Sequence, residues 1–161
     1  PLEYRESKRV REFAIALDTS GSCSGELIRA FVERTYAILR QRTSFGDEIN
    51  VHIIQCDNRI RTATKVTSLA QLESYGESFW VSGGGGTDFK PVFEYVDELV
   101  ESGEFNDLRG LIYFTDGYGA FPVKTPAYDV AFVFVDDGAT NVKIPAWAMK
   151  VIMTQEEVLQ R

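Results

Sequence analysis

Asp18, Ser20 and Ser22 stand at alternate positions of one short segment, Asp18-Thr19-Ser20-Gly21-Ser22. A carboxylate and two hydroxyls so spaced can converge on a single point from one loop. All are hard oxygen donors, which suit Mg2+, Mn2+ or Ca2+ better than zinc. Two later segments carry matching chemistry: Thr87 follows the glycine run Gly83 to Gly86, and Asp116 sits in Thr115-Asp116-Gly117. Together they offer carboxylates and hydroxyls, with water completing the near-octahedral shell that Mg2+ prefers at about 2.1 Å. Taken alone, the first segment equally suits a strand end whose serines cap a helix.

The flanking pattern decides how these residues are held. Phe13 to Leu17 is a short continuous apolar run, as expected of a strand buried on both faces. From Glu26 to about Arg40 the positions Leu27, Ile28, Phe31, Val32, Thr35, Ile38 and Leu39 recur at helical spacing as one wide apolar face, with Ser24 as a candidate N-cap. Residues 44–47 read as a turn. Ile49 to Cys56 reads as a second strand, Asp57-Asn58 as a hairpin turn, and Arg59 to Val66 as a half-exposed antiparallel edge strand. Ser68 to Tyr75 is a weaker, short helix.

Four consecutive glycines suit neither a strand nor a helix interior, and they let backbone approach a neighbour closely. A second amphipathic helix follows them on Phe89, Val92, Phe93, Val96, Leu99 and Val100, with Pro91 in its first turn. Leu111 to Phe114 and Val130 to Val135 are further buried strands, Met149 to Met153 a short one, and Gln155 to Gln160 a terminal helix. Strands alternating with helices predict a three-layer α/β/α, doubly wound, mainly parallel sheet, Rossmann-like in class. In such a sheet the loops at the carboxyl edge lie side by side near the switch in strand order. Asp18, Ser20, Ser22, Thr87 and Asp116 all fall on such loops. The site is expected at the surface, so that Asp18→Ala would remove metal binding and leave the fold largely intact.

Composition narrows the function classes. The 161 residues suit one domain spanning 1–161, and 44% hydrophobic with 25% charged residues is ordinary for a globular chain. A net charge of −7 disfavours nucleic acid, whose phosphates need a basic face. No apolar run reaches the roughly 18 residues of a membrane span, and residues 1–12 are too charged for a signal peptide. Cys23 and Cys56 show no metal-ligand spacing and read as reduced thiols. A cytoplasmic location and excision from a longer protein, since the chain begins at Pro1, are the expectations.

The three-part pattern Asp18-x-Ser20-x-Ser22, Thr87 and Asp116 resembles the metal-ion-dependent adhesion site of von Willebrand factor A (VWA) domains, over roughly residues 12 to 155. The resemblance implies a doubly wound sheet with one antiparallel edge strand. It also implies a Mg2+ (or Mn2+ or Ca2+) ion held directly by Ser20 and Ser22, directly or through water by Thr87, and largely through water by Asp18 and Asp116. An acidic side chain from a protein partner would complete the metal sphere. More narrowly, Gly-Gly-Gly-Gly-Thr-Asp-Phe and Tyr-Phe-Thr-Asp-Gly-Tyr-Gly-Ala-Phe-Pro look like the C-terminal VWA-like domain of bacterial metallopeptidase-like proteins. That likeness implies a preceding peptidase-like region as one partner and an AAA+ ATPase as another.

The rival chemistries fit less well. A peptidase zinc site is excluded from this stretch by the lack of His-Glu-x-x-His, His52 being the only histidine. A phosphate-binding loop would need Lys where Thr87 and Asp88 follow the glycines. A Mg2+-dependent phosphatase would use Asp18 as nucleophile, but the second aspartate it needs is replaced by Ser20. His52 reads as a structural residue and Cys23 as a packing one. Asp88 reads as either a supporting acceptor or a helix-start charge, and Asp136-Asp137 as a solvated turn. Tyr118, Phe121 and Tyr128 follow the metal aspartate on one loop; they read either as a partner-contact surface or as residues that pack the loop down.

Overall fold

A computed structural model of the chain describes residues 10–20, 25–43, 48–115, 117–135 and 142–159. Ser22, Cys23, Ser24, the turn at 44–47, Asp116, Asp136-Asp137 and Gln160 lie outside the described residues, as do residues 1–9.

β1 (Val10–Asp18) is the central strand. Alternate side chains along a strand point to opposite faces, and here both faces are covered. Ile15 and Leu17 face one apolar layer and Ala14 and Ala16 the other. The first layer is completed by α1 (Gly25–Arg42), α2 (Leu69–Ser78) and α4 (Gln155–Leu159), through Ile28, Phe31, Val32, Leu72 and Val158. The opposite layer is covered by α3 (Lys90–Glu101) through Val92, Phe93 and Val96. Small residues on β1 leave room there for a stack of rings, with Phe93, Tyr113, Phe132 and Phe134 packed together. α1 and α3 bury most of the stripes read from the sequence, but Ile38 and Val100, at the margins of those stripes, are exposed. α2 begins one residue later than expected and runs three residues further, with Ser68 as its cap accepting Gln71 N–H at 3.1 Å.

The sheet has six strands in the order β3-β2-β1-β4-β5-β6. β2 (Glu48–Cys56), β4 (Leu108–Thr115), β5 (Asp129–Val135) and β6 (Ala148–Met153) all run parallel to β1, while β3 (Ile60–Val66) pairs antiparallel with β2 at the edge. The expected fold class is thus borne out, down to the single antiparallel edge strand. The chain winds outward from β1 in one direction to β3 and in the other to β6, so strand order reverses between β1 and β4. That switch opens the crevice where ligands of such sheets bind. Register sets what meets there: Asp18 pairs with Cys56 of β2, and Leu17 with Phe114 of β4. No helix among the described residues is long and apolar enough to cross a membrane.

Candidate metal centre

Asp18 is the last residue of β1 and is fully buried. Its Oδ1 accepts the backbone N–H of Ser20 at 2.8 Å, the turn geometry that a short carboxylate imposes on the chain just after it. Its Oδ2 accepts the hydroxyl of Thr115, the last residue of β4. The same Thr115 oxygen accepts Gly117 N–H at 3.2 Å, so one hydroxyl ties the end of β1 to Gly117. The expectation of a surface aspartate is therefore corrected. Because Asp18 closes the top of the core between two parallel strands, its removal would cost stability as well as any ligand.

Thr19 joins the β1 loop to the glycine segment. Its N–H donates to Cys56 O at 2.7 Å, and its hydroxyl lies 2.6 Å from Ser82 O and 3.1 Å from Cys56 O, able to donate to either carbonyl. Its carbonyl accepts Gly84 N–H at 2.8 Å. This approach explains the glycine run at one position above all. Gly83 has φ +146, and a Cβ there would collide with the Thr19 hydroxyl. The expectation that the glycines admit a close neighbour is thus met, and the neighbour is the residue between Asp18 and Ser20.

The other attachments complete the frame. Gln55, buried in β2, donates to Trp80 O at 2.9 Å and accepts Ser82 N–H at 2.8 Å. Phe89 N–H donates to Ala120 O at 3.2 Å, and a Cβ at Gly119 would stand 2.8 Å from the Phe89 ring. Asp57 Oδ2 accepts Gly85 N–H at 3.0 Å. The segments carrying Asp18, Ser20 and Thr87, with Thr115 and Gly117, are thereby bound together at the β1/β4 switch. Ser20 is buried and Thr87 half-buried.

The donors described, one carboxylate and two hydroxyls, are all hard oxygens and fit Mg2+, Mn2+ or Ca2+. Cys56 lies beneath them, its Sγ 3.4 Å from Leu17 O and 3.2 Å from the Tyr113 hydroxyl. Burial pushes this thiol up to about 12, so it stays protonated and supplies no thiolate ligand. His52 lies four residues before Cys56 on β2, roughly 13 Å along the strand from that edge. It sits 3.1 Å from Glu104 Oε1 and edge-on to Phe105, the structural role expected of it. Asp88 Oδ1 accepts Lys90 N–H at 3.0 Å, which is the helix-start role of the two considered.

The loop aromatics divide. Tyr118 is 69% exposed. Phe121 lies against Phe89 and Phe132, and Tyr128 is buried in the same layer. For these two the contacts fit the packing alternative: both rings lie against the aromatic layer, where apolar area gains more than in water. Sequence reasoning missed Thr115, Thr19 and Asp57. A hydroxyl preceding the Thr-Asp-Gly aspartate and an aspartate closing a buried strand were the available signals.

A doubly wound sheet of this order, with polar loops at the β1/β4 switch, is of the Rossmann-like α/β class. The chain belongs to the family described as VWA-like domain (DUF2201), whose profile matches residues 13–154. Among solved structures it is similar to proximal thread matrix protein 1 of the mussel byssus, at 14% identity and TM-score 0.63, covering 93% of this chain and 43% of that one. It is also similar to the ArnB paralog VWA2 from Sulfolobus acidocaldarius, at 18% identity and TM-score 0.55, covering 79% and 35%. An aerotolerance-related membrane protein from Bacteroides fragilis, with multiple mutations to serines, matches at 17% identity and TM-score 0.55, covering 84% and 73%. At these identities the likeness is one of fold. No curated protein matches the chain.

Proposed function

We propose that the chain is a metal-dependent protein-interaction module, binding Mg2+ or Mn2+ through Asp18, Ser20, Ser22, Thr87 and Asp116. The observation that carries this reading is the fixed Asp18 carboxylate at the strand-order switch. It is fully buried and held by Ser20 N–H and the Thr115 hydroxyl, with the Thr87 segment strapped to the adjacent Thr19. A preorganised set of hard oxygens costs little further ordering when a cation arrives.

The ion would supply a positive centre, and an acidic side chain of a partner would complete its sphere. A preceding region of the same protein, of peptidase-like type, and an AAA+ ATPase are the partners the family resemblance favours, in a cytoplasmic bacterial setting. Tyr118 and Trp80, 69% and 86% exposed, flank this edge and offer amphipathic contact area of the kind enriched in interfaces. The phosphatase alternative lacks the second aspartate it needs, since Ser20 stands in that place.

Calorimetric titration with Mg2+ and Mn2+ tests the reading, beside Asp18→Ala and Ser22→Ala. Binding by the wild type that is lost in both variants, each still folded by circular dichroism, is the expected result. A wild type that takes up neither ion, or variants that bind as tightly, would sink it.

A further inference from the structure

Asp57 follows the last residue of β2, and two of its groups hold the glycine segment on either side of Thr87. Its Oδ2 accepts Gly85 N–H at 3.0 Å, and its backbone carbonyl accepts Asp88 N–H at 3.2 Å. Gly86 and Thr87 are the whole of the chain between those anchors. The anchor is itself rigid. The Arg61 guanidinium reaches Oδ1 through Nε at 2.8 Å and Oδ2 through Nη2 at 2.7 Å, a two-toothed pairing, and Arg59 N–H reaches Oδ1 at 3.2 Å. The Asp57 side chain is fully buried, and a Cβ at Gly85 would come within 3.0 Å of its carboxylate.

A run of glycines has more backbone freedom to lose than any other sequence. Left alone, it would present the Thr87 hydroxyl over many positions. We propose that Asp57 is the positioning residue of the metal centre, acting through Thr87. It fixes the backbone before and after that residue, so that the hydroxyl is delivered to the same edge as Asp18. Arg61 is its brace, holding the carboxylate in the orientation that meets Gly85. The inference rests on the metal-binding reading above and adds to it a residue that is not itself a ligand.

The test is a double-mutant cycle on Mn2+ affinity, measured by calorimetry for wild type, Asp57→Ala, Thr87→Ala and the double variant. Circular dichroism and thermal unfolding without metal are recorded for each. Partners one step removed from the ligands typically account for 10- to 100-fold in metal affinity, so Asp57→Ala should weaken Mn2+ binding by on the order of tenfold or more. Because it acts through Thr87, the double variant should bind no more than about twofold worse than Thr87→Ala alone. If Asp57→Ala fails to fold, Arg61→Gln takes its place in the cycle, with a smaller loss and the same lack of additivity. Unchanged Mn2+ affinity with a lowered Tm would make Asp57 a purely structural residue, and fully additive losses would show that it acts elsewhere. Either result overturns the inference while the metal reading stands. A wild type without Mn2+ binding overturns both.

Discussion

The hydroxyl of Thr115 donates to Oδ2 of Asp18, so the final residue of β4 fixes the final carboxylate of β1 across the strand-order switch. Both side chains are fully buried, and an acceptor stripped of its donor there has no water to turn to. Thr115→Val keeps the shape and removes the bond. It should destabilise the fold by about 1–3 kcal/mol in urea unfolding. It should also weaken Mn2+ binding by roughly 10- to 100-fold, since Asp18 would lose the contact that aims it. A variant equal to wild type in both measurements would show that the bond contributes nothing.

Gly83 and Gly86 belong to the same run yet should respond differently to alanine. At Gly83 the backbone has φ +146 and a new methyl group would strike Thr19, whereas a Cβ at Gly86 meets nothing within 4 Å. Gly83→Ala is therefore expected to cost at least about 1–3 kcal/mol, the usual range for a strained backbone position. Gly86→Ala should stay within roughly 0.5 kcal/mol of wild type. Thermal unfolding of the two variants side by side gives the answer, and equal losses would contradict the close approach to Thr19.

The difference between these glycines shows where the sequence speaks and where it is silent. Helical spacing in α1 and α3 and the apolar run of β1 are local signals, and they gave the layers directly. That the glycines admit a close neighbour was also legible. Which glycine does so depends on Thr19, 64 positions earlier by number. Thr115 meets Asp18 across 97 positions, and Asp57 meets Gly85 across 28. Such pairings are set by strand order and register, which spacing does not encode. Tyr128 makes the same point in reverse. An aromatic on a polar loop reads as exposed or packed with equal right, and only the ring layer beneath the loop decides that it turns inward.

His52 supplies a pH-dependent contribution. Burial holds its pKa below the usual value near 6.5, against the opposing effect of the Glu104 carboxylate that accepts its ring N–H. The unfolded chain therefore binds a proton more readily than the folded one. Stability from this group is full above the unfolded value and declines as pH falls through about 6.5 toward the lower folded value. Urea midpoints between pH 7.5 and 5.5 should fall for wild type and fall less for His52→Gln. Parallel curves would mean that His52 does not titrate differently in the two states.

Asp57 acts in a more acidic window and with the opposite charge. The Arg61 guanidinium, joined by Gly85 and Arg59 N–H donors, holds its carboxyl at about 2 in spite of burial. An unfolded aspartate titrates near 3.9. The folded state thus keeps the charged form longer, and the stability it provides is complete above about pH 4 and is lost as pH falls from there toward about 2. Asp57→Asn removes the titrating group, so the difference in unfolding free energy between wild type and variant should be constant at pH 5 to 7 and shrink between about pH 4 and 2. Arg61→Leu takes away the main cause of the depression, so the folded and unfolded values draw together and the acid loss from this group should be smaller than in wild type. If the gap between wild type and Asp57→Asn stayed constant down to pH 2, the ion pair would not be the force that holds the glycine segment in place.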